Sequence, residues 1–404
     1  MDGKKYDVIV VGARCAGSPT AMLLARKGYR VLVVDKATFP SDTISTHLIH
    51  TPGVLALQRW GLLEHVVGTG ADSIDTYLFD FGAFAIEGSP AIEGSPVSYA
   101  PRRTALDHVL VEAAGEAGAE VREGFTVEDV VIENGRVTGI RGHGRDGRTV
   151  TERARIVIGA DGRRSLVAQV VRPEQYHERP PLLAAYYTYY SDLPMHGRME
   201  TYVLPNRGAA AWPTNDGLSV VIAGWPHAEF AANKTDVEGN FLKTLEMIPS
   251  FPDRLASAHR EARFVGTAVP NYFRKPYGAG WALVGDAGYN KDFITAQGIQ
   301  DAFRDAEMCA RAVDEALSGD RPFEEAMADY QTRRDSQVMA MYGFTCELAT
   351  LEPPPPELQR LLAATSGNNE AMDQFVRVNA GAMSPAEFLS PENAERILTA
   401  GVRA

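Results

Sequence analysis

The sequence predicts an α/β fold, in which a parallel sheet covered by helices on both faces carries an inserted antiparallel sheet and ends in a helical C-terminal tail. Three observations lead there. Tyr6–Val11 and Arg30–Asp35 are β-branched apolar runs of the kind found in strands buried on both faces, and the helix-forming stretch Gly17–Gly28 lies between them. From about residue 180 to 275 the chain turns to aromatic-rich strand segments: LLAAYYTYYSD, METYVLPN, GAAAWPTN and LSVVIAGWP. Beyond the stiff run Pro353–Pro356 it reads as mostly helical through Ile397. The expected divisions are 1–180 and 276–320 for the two parts of the parallel domain, 181–275 for the inserted sheet with further strands of it within 75–100, and 321–404 for the helical region.

At 404 residues the chain exceeds what one hydrophobic core usually organises. Its 45% hydrophobic and 23% charged residues exclude a disordered or fibrous class. A net charge of -12 disfavours a phosphate-backbone partner, so no nucleic acid is expected. Cys15, Cys309 and Cys346 form no Cys-x-x-Cys pair, which predicts neither disulfides nor a metal centre and suits a reducing cytoplasm. The opening MDGKKYDVIVVG lacks the apolar core of a signal peptide, and no apolar stretch reaches the length of a membrane span.

The remaining elements follow in order. Pro52-Gly53 precedes a helix-like stretch Val54–Leu63, and AIEGSP occurs twice in tandem at 85–90 and 91–96, read as a hairpin or loop lengthened by duplication. Pro101–Gly118 is a loop entering an amphipathic helix. Glu120–Glu123, Thr126–Ile132, Arg136–Arg141 and Thr149–Ala154, divided by the hairpin signals Asn134-Gly135 and Asp146-Gly147, predict a small antiparallel layer that leads to a separate buried strand, Arg155–Ile158. A helix is expected near Val237–Ile248. Trp281–Val284 returns to a short apolar strand, and Ile299, Phe303, Ala306, Ala310, Val313 and Leu317 mark one face of a long helix. Tyr330–Arg334 and the charges around it read as a solvated helix face.

Three clusters at strand ends carry the chemistry. Gly12-Ala13-Arg14-Cys15-Ala16-Gly17 fits a dinucleotide fingerprint at its first and third glycines, with Arg14 in place of the second. Asp35, 23 residues after Gly12, ends the next strand, where an acid suits ribose hydroxyls. Gly159-Ala160-Asp161-Gly162-Arg163-Arg164-Ser165 follows another buried strand. Gly285-Asp286-Ala287-Gly288 follows a third, and Thr295-Ala296-Gln297-Gly298-Ile299 opens the long helix, whose N-terminus would stabilise negative charge on a reduced flavin ring.

On these clusters and on Arg103-Thr104-Ala105-Leu106-Asp107, the chain resembles, over about residues 6–320, the FAD-dependent group shared by single-component aromatic hydroxylases, geranylgeranyl-reductase-like enzymes and flavin halogenases. The resemblance implies an FAD-binding Rossmann-like domain with an inserted substrate domain. It implies FAD contacts from Gly12, Ala13, Cys15, Ala16, Gly17, Asp35, Lys36, Arg103, Val127, Asp161, Gly285, Asp286, Gly298 and Ile299. Tyr289 and Phe293 stand where hydroxylases of this type often have a histidine and a proline. The halogenase signature Trp-x-Trp-x-Ile-Pro is absent, the nearest segment being Ala211-Trp212-Pro213. The segment Phe39 to His47 resembles the reductase-like branch, in which it passes beside the flavin; His47 is the reactive candidate, with simple hydrogen bonding as its other reading. Of Tyr186, Tyr187, Tyr189, Tyr190, Tyr202, Trp212 and Trp225, alternation would send about half towards a substrate pocket.

The expected activity is an FAD-dependent monooxygenase: NAD(P)H serves as transient electron donor, and molecular oxygen forms a flavin hydroperoxide that hydroxylates a small, aromatic or otherwise electron-rich substrate. A reductase acting on an alkene or polyprenyl substrate is the second reading, and a flavin-binding redox module the third. NADH, NADPH and the oligomeric state all stay open.

Overall fold

In a computed structural model that describes residues 6–400, β1 (Tyr6–Val11), α1 (Gly17–Arg26) and β2 (Val31–Asp35) form the expected βαβ unit, with Val8–Val11 running parallel beside Val31–Val34. The polar lead, residues 1–5, lies outside the described residues. α2 (Thr51–Trp60) begins earlier than the sequence suggested, because Pro52 sits in its first turn, where the missing N–H would have had no helical partner. β3 (Thr76–Asp80) and β4 (Ala85–Gly88) are an antiparallel pair. The tandem repeat takes two conformations: the first copy supplies β4, and the second closes a tight turn bridged between Ile92 and Ser95.

After α3 (Arg103–Glu116), two expectations are corrected. β5 (Glu120–Glu123) belongs not to the antiparallel layer but to the parallel sheet, at whose edge it pairs with β2. That layer is built from β6 (Thr126–Glu133), β7 (Arg136–His143) and the first half of β8 (Thr149–Gly159). The two strands expected at 149–154 and 155–158 are one: β8 leaves β7 at Arg153 and pairs in parallel with β1 from Ala154 onward. No turn residue stands between Ala154 and Arg155, so the chain continues and changes partner.

Beyond α4 (Leu166–Val171), the inserted sheet contains β9 (Leu183–Ser191), β10 (Arg198–Leu204), β11 (Arg207–Pro213) and β12 (Ser219–Pro226), in the order β9, β12, β11, β10, β3, β4. Alternation sorts its aromatic residues as expected. Tyr187, Tyr189 and Trp212 face one side with Tyr77 and Phe79, while Tyr186, Tyr190, Tyr202 and Trp225 pack on Phe241 and Leu245 of α5 (Val237–Glu246). β13 (Trp281–Leu283) then completes the parallel order β5, β2, β1, β8, β13.

Two long helices follow, α6 (Gly298–Ser318) and α7 (Phe323–Leu348). The expected solvated face at Tyr330–Arg334 holds for the exposed Thr332 and Arg333 but not for Tyr330 and Arg334, which are buried. The Tyr330 hydroxyl donates to Leu283 O (3.0 Å), and Arg334 donates to Gly288 O (3.2 Å), Arg274 O (3.0 Å) and the Tyr176 hydroxyl (2.9 Å). These residue types are common on helix surfaces; here backbone carbonyls satisfy them inside.

The tail, including α8 (Pro356–Thr365) and α9 (Asn369–Asn379), covers the inner face of the inserted sheet: Leu361, Leu362, Phe375 and Val376 share a core with Tyr77, Tyr187, Tyr189 and Trp212. The repeat loop anchors α9, since Ser89 N donates to the Asp373 carboxylate (2.8 Å) and Arg377 donates to Ala91 O (3.0 Å). Among the described residues, no helix is long and apolar enough to cross a membrane.

Candidate cofactor and active site

The loop after β1 is shaped by its glycines. Gly12 has φ +102°, and a Cβ on it would lie 2.5 Å from Ala160 O; a Cβ on Gly17 would lie 1.7 Å from Gly12 O. Backbone approach this close leaves room for nothing larger. Asp35 ties down the entrance, its two carboxylate oxygens accepting from Ala13 N and Ala37 N, both at 2.8 Å, with exposed Lys36 beside it. Cys15 and Ala16 are buried under the loop, and burial pushes the Cys15 thiol up, which makes it a packing residue rather than a nucleophile.

Arg14, the apparent defect of the motif, donates to the Asp107 carboxylate (2.5 Å) and the Ser41 hydroxyl (2.7 Å). Asp107 is fully buried and also pairs with Arg103 (2.9 Å), so one carboxylate serves two guanidinium groups directly beneath the loop. Sequence reasoning had quoted Asp107 without giving it a role; the signal was an acid four residues after Arg103 on a helix.

The second and third clusters sit at the ends of neighbouring strands, β8 and β13. Asp161 turns inward: one oxygen accepts from Leu166 N (2.6 Å) and Val167 N (3.3 Å) at the start of α4. Gly285 touches the first loop, since a Cβ there would lie 2.9 Å from Ala16 Cβ. Asp286 is open to solvent yet hemmed in by protein. Desolvation pushes its carboxyl up to about 6, with Asp301 adding to the rise while Arg103, Arg163 and Lys291 oppose it. Gly298 is exposed at the first turn of α6 with nothing near a Cβ, and Ile299 is buried beside it. Val127 is half-buried on β6, packed against the core of Ile9, Leu32 and Val34.

His47 lies on the segment that follows β2, buried, with a left-handed backbone (φ +69°). Its Nε2 meets the Tyr189 hydroxyl at 2.5 Å and the two rings stack; burial, with Arg103 and Arg102 nearby, pulls its pKa down to about 3. Arg102 lies 4.8 Å above the other ring of that pair, Tyr189. His50 escaped the sequence reading. It bridges the Tyr77 hydroxyl (Nδ1, 2.7 Å) and Thr295 O (Nε2, 3.0 Å), and so ties the inserted sheet to the turn before α6.

The structure therefore brings the fingerprint, Arg103 and the Gly-Asp cluster together, with His47 within the electrostatic reach of Arg103. The residues fit a dinucleotide: two glycines where a side chain would collide with backbone, an open helix N-terminus at Gly298, and buried polar atoms at His47 Nδ1, Arg102 Nε and Asp161 Oδ1 that have no protein partner. The chain matches the FAD binding domain family over residues 5–345. It belongs to that family. It is 30% identical to a digeranylgeranylglycerophospholipid reductase of Methanosarcina mazei over 331 residues, 78% of this chain and 76% of the relative. It is 24% identical to a 1H-pyrrole-2-carbonyl-[peptidyl-carrier protein] brominase of Pseudoalteromonas luteoviolacea, over 78% and 79% of the two chains. PqsL of Pseudomonas aeruginosa, solved with 2-aminobenzoylacetate, superposes with a TM-score of 0.74 at 24% identity, over 85% of this chain and 96% of that one. The chain is thus a member of an FAD-dependent oxidoreductase family, with an FAD-binding fold and a helical C-terminal region.

Proposed function

We propose that the protein is a monooxygenase that hydroxylates a small aromatic substrate with NAD(P)H and molecular oxygen. The observation that carries this reading is the inner face of the inserted sheet, where Tyr77, Tyr187, Tyr189 and Trp212 bring aromatic rings and hydroxyl tips to the side facing His47 and His50. Rings suit an aromatic substrate and fixed hydroxyls orient its polar groups. Bound FAD supplies the redox chemistry, taking hydride from NAD(P)H and activating oxygen.

The chain's own residues bind, orient and shield. Gly12, Ala13, Gly17 and Arg103 would hold the phosphates, and Asp286 would accept hydrogen bonds from the ribityl hydroxyls. Lys36 and Val127 would lie towards the adenine, and the exposed start of α6 at Gly298 would meet the ring, where the helix dipole favours negative charge. His47 stays neutral and presents Nδ1 as a hydrogen-bonding atom while Tyr189 holds Nε2, so its role is orientation rather than proton transfer. The tail residues Leu361, Leu362, Phe375 and Val376 pack on the inner face of the inserted sheet and shield its aromatic side chains from water. Incubation of the holoprotein with phenolic substrates, NADPH and isotopically labelled oxygen should place one labelled oxygen atom in the product. Unlabelled product, or NADPH oxidation that no substrate accelerates, would sink the reading.

The reductase reading is favoured by two observations, the 30% identity to the Methanosarcina mazei enzyme and the Phe39 to His47 segment. Anaerobic saturation of an alkene by the chemically reduced protein, with no oxygen requirement, would replace the first reading by this one.

A further inference from the structure

The residue that spoils the fingerprint is the best-connected side chain in it. The Arg14 guanidinium donates to the Asp107 carboxylate (2.5 Å), the Ser41 hydroxyl (2.7 Å), Ser41 O (3.2 Å) and Asp42 O (3.4 Å), and it lies 5.3 Å from the centre of the Phe39 ring. Residues 39–46 belong to no strand or helix. This strap runs from the end of β2 to the ring-side His47, and side chains from four other places hold it. Glu123 accepts from Phe39 N (3.1 Å), Arg102 pairs with Asp42 (3.7 Å), the Tyr187 hydroxyl accepts from Ser45 N (3.2 Å), and Trp212 donates to Thr46 O (2.9 Å). Arg14 alone among these side chains also belongs to the phosphate loop.

Charge points the same way. Arg14 and Arg103 share the single buried carboxylate of Asp107, and the remaining positive charge beneath the loop is faced by Asp286 of the third cluster. A pyrophosphate placed there meets both the amides and that charge. A glycine at position 14 would offer closer backbone approach but no charge and no hold on the strap.

We propose that Arg14 is a cofactor latch, which joins the phosphate loop to the 39–46 strap so that FAD binding and closure of the strap beside the flavin are one coupled event. The coupling is reciprocal. Anything that releases the strap from Arg14 weakens FAD, and removal of FAD loosens the strap.

Arg14→Gly separates this proposal from the fingerprint rule, because it restores the motif's second glycine. The rule expects equal or tighter FAD binding; the latch expects FAD affinity to fall on the order of tenfold or more, the effect of losing charge-assisted hydrogen bonds. Flavin-fluorescence titration of the deflavinated full chain reads the affinity, and hydrogen exchange of residues 39–46 with and without FAD reads the strap. In the wild type FAD should slow exchange of the strap, and in Arg14→Gly that slowing should disappear while the rest of the parallel domain keeps its protection. Ser41→Ala cuts only the strap side of the latch and guards against a folding defect: it should raise strap exchange and weaken FAD by a smaller factor. Arg14→Gly binding FAD at least as tightly as wild type overturns the proposal, as does an unchanged response of the strap in either variant. Loss of FAD affinity in Arg14→Gly with strap exchange still slowed by FAD would leave Arg14 a plain phosphate ligand and refute the latch. The family assignment stands under every one of these outcomes, since wild-type FAD binding is measured in the same titration.

Discussion

Asp161 and Asp286 look like twins in the sequence, each in a glycine-flanked turn after a buried strand, and the strands are neighbours in the same parallel sheet. Their surroundings differ. Asp161 spends one carboxylate oxygen on the amides of Leu166 and Val167, capping a short helix whose Ser165 hydroxyl also accepts from Ala168 N (3.0 Å). Asp286 leaves its carboxylate towards solvent, and only its backbone carbonyl is occupied, by the Tyr272 hydroxyl (2.8 Å). Burial raises both carboxyls, but at Asp161 hydrogen bonds from the start of α4 oppose the rise, whereas the Asp286 side chain has no such bond from the described residues. A carboxylate with neither oxygen engaged by the described residues is free to meet a ligand, while one that caps a helix is already committed.

The openness of the Gly-Asp cluster depends on what stands behind it. Arg334, fully buried, holds Gly288 O, and Tyr330 holds Leu283 O, so α7 props the turn from the rear; the Asp161 turn has its support within α4. Arg334→Leu should therefore produce the largest effect in the molecule, a loss of about 3 kcal/mol or more from the backbone carbonyls left unpaired, together with loss of bound FAD. Chemical denaturation reads the first and the flavin absorbance of the purified protein the second. If stability falls and flavin content does not, α7 is a support of the fold alone.

Asp286→Ala comes next. FAD affinity should drop on the order of tenfold or more, with the far-ultraviolet spectrum unchanged, because one acceptor for the ribityl hydroxyls is lost. Asp161→Ala should instead retain flavin to within about twofold and lose about 1 kcal/mol of stability, the usual effect of removing a helix cap. If the two variants exchange these phenotypes, the comparison is reversed and Asp161 becomes the cofactor ligand.

Much of this was legible in the sequence because it is encoded locally. The βαβ unit, the long helix after the third cluster and the alternation of Tyr186 to Tyr190 follow from periodicity over a few residues. What escaped depends on contacts across long separations. Nothing near His50 announces Tyr77 or Thr295, and Tyr330 and Arg334 have side chains suited to a surface and buried here only because Leu283, Arg274 and Gly288 present carbonyls to them. The break assumed at Ala154 failed for the opposite reason, since the sequence changes character there while the strand continues with a new partner. Arg14 shows a third kind of limit: read against a motif it is a mismatch, and only the fold supplies Asp107 and Ser41 to explain it.

The smallest expected effect tests the charge at Asp286 without any cofactor. Its carboxyl rises from 3.8 to about 6 in the folded protein, so the folded state binds this proton more tightly than the unfolded one. The favourable contribution is complete below pH 3.8 and is lost as the pH rises through about 6, which leaves the ionised group as a liability at neutral pH. Solvent access to the side chain screens that liability and keeps it modest. The deflavinated Asp286→Ala protein should thus melt at or slightly above the wild-type temperature at pH 7.5, and the gap should narrow steadily as the pH falls from 6 towards 4. Asp161→Ala should melt below wild type, because the amides at the start of α4 lose their acceptor. An Asp286→Ala protein that melts well below wild type at pH 7.5 would show that the carboxylate holds the fold together and is not held in reserve for a ligand.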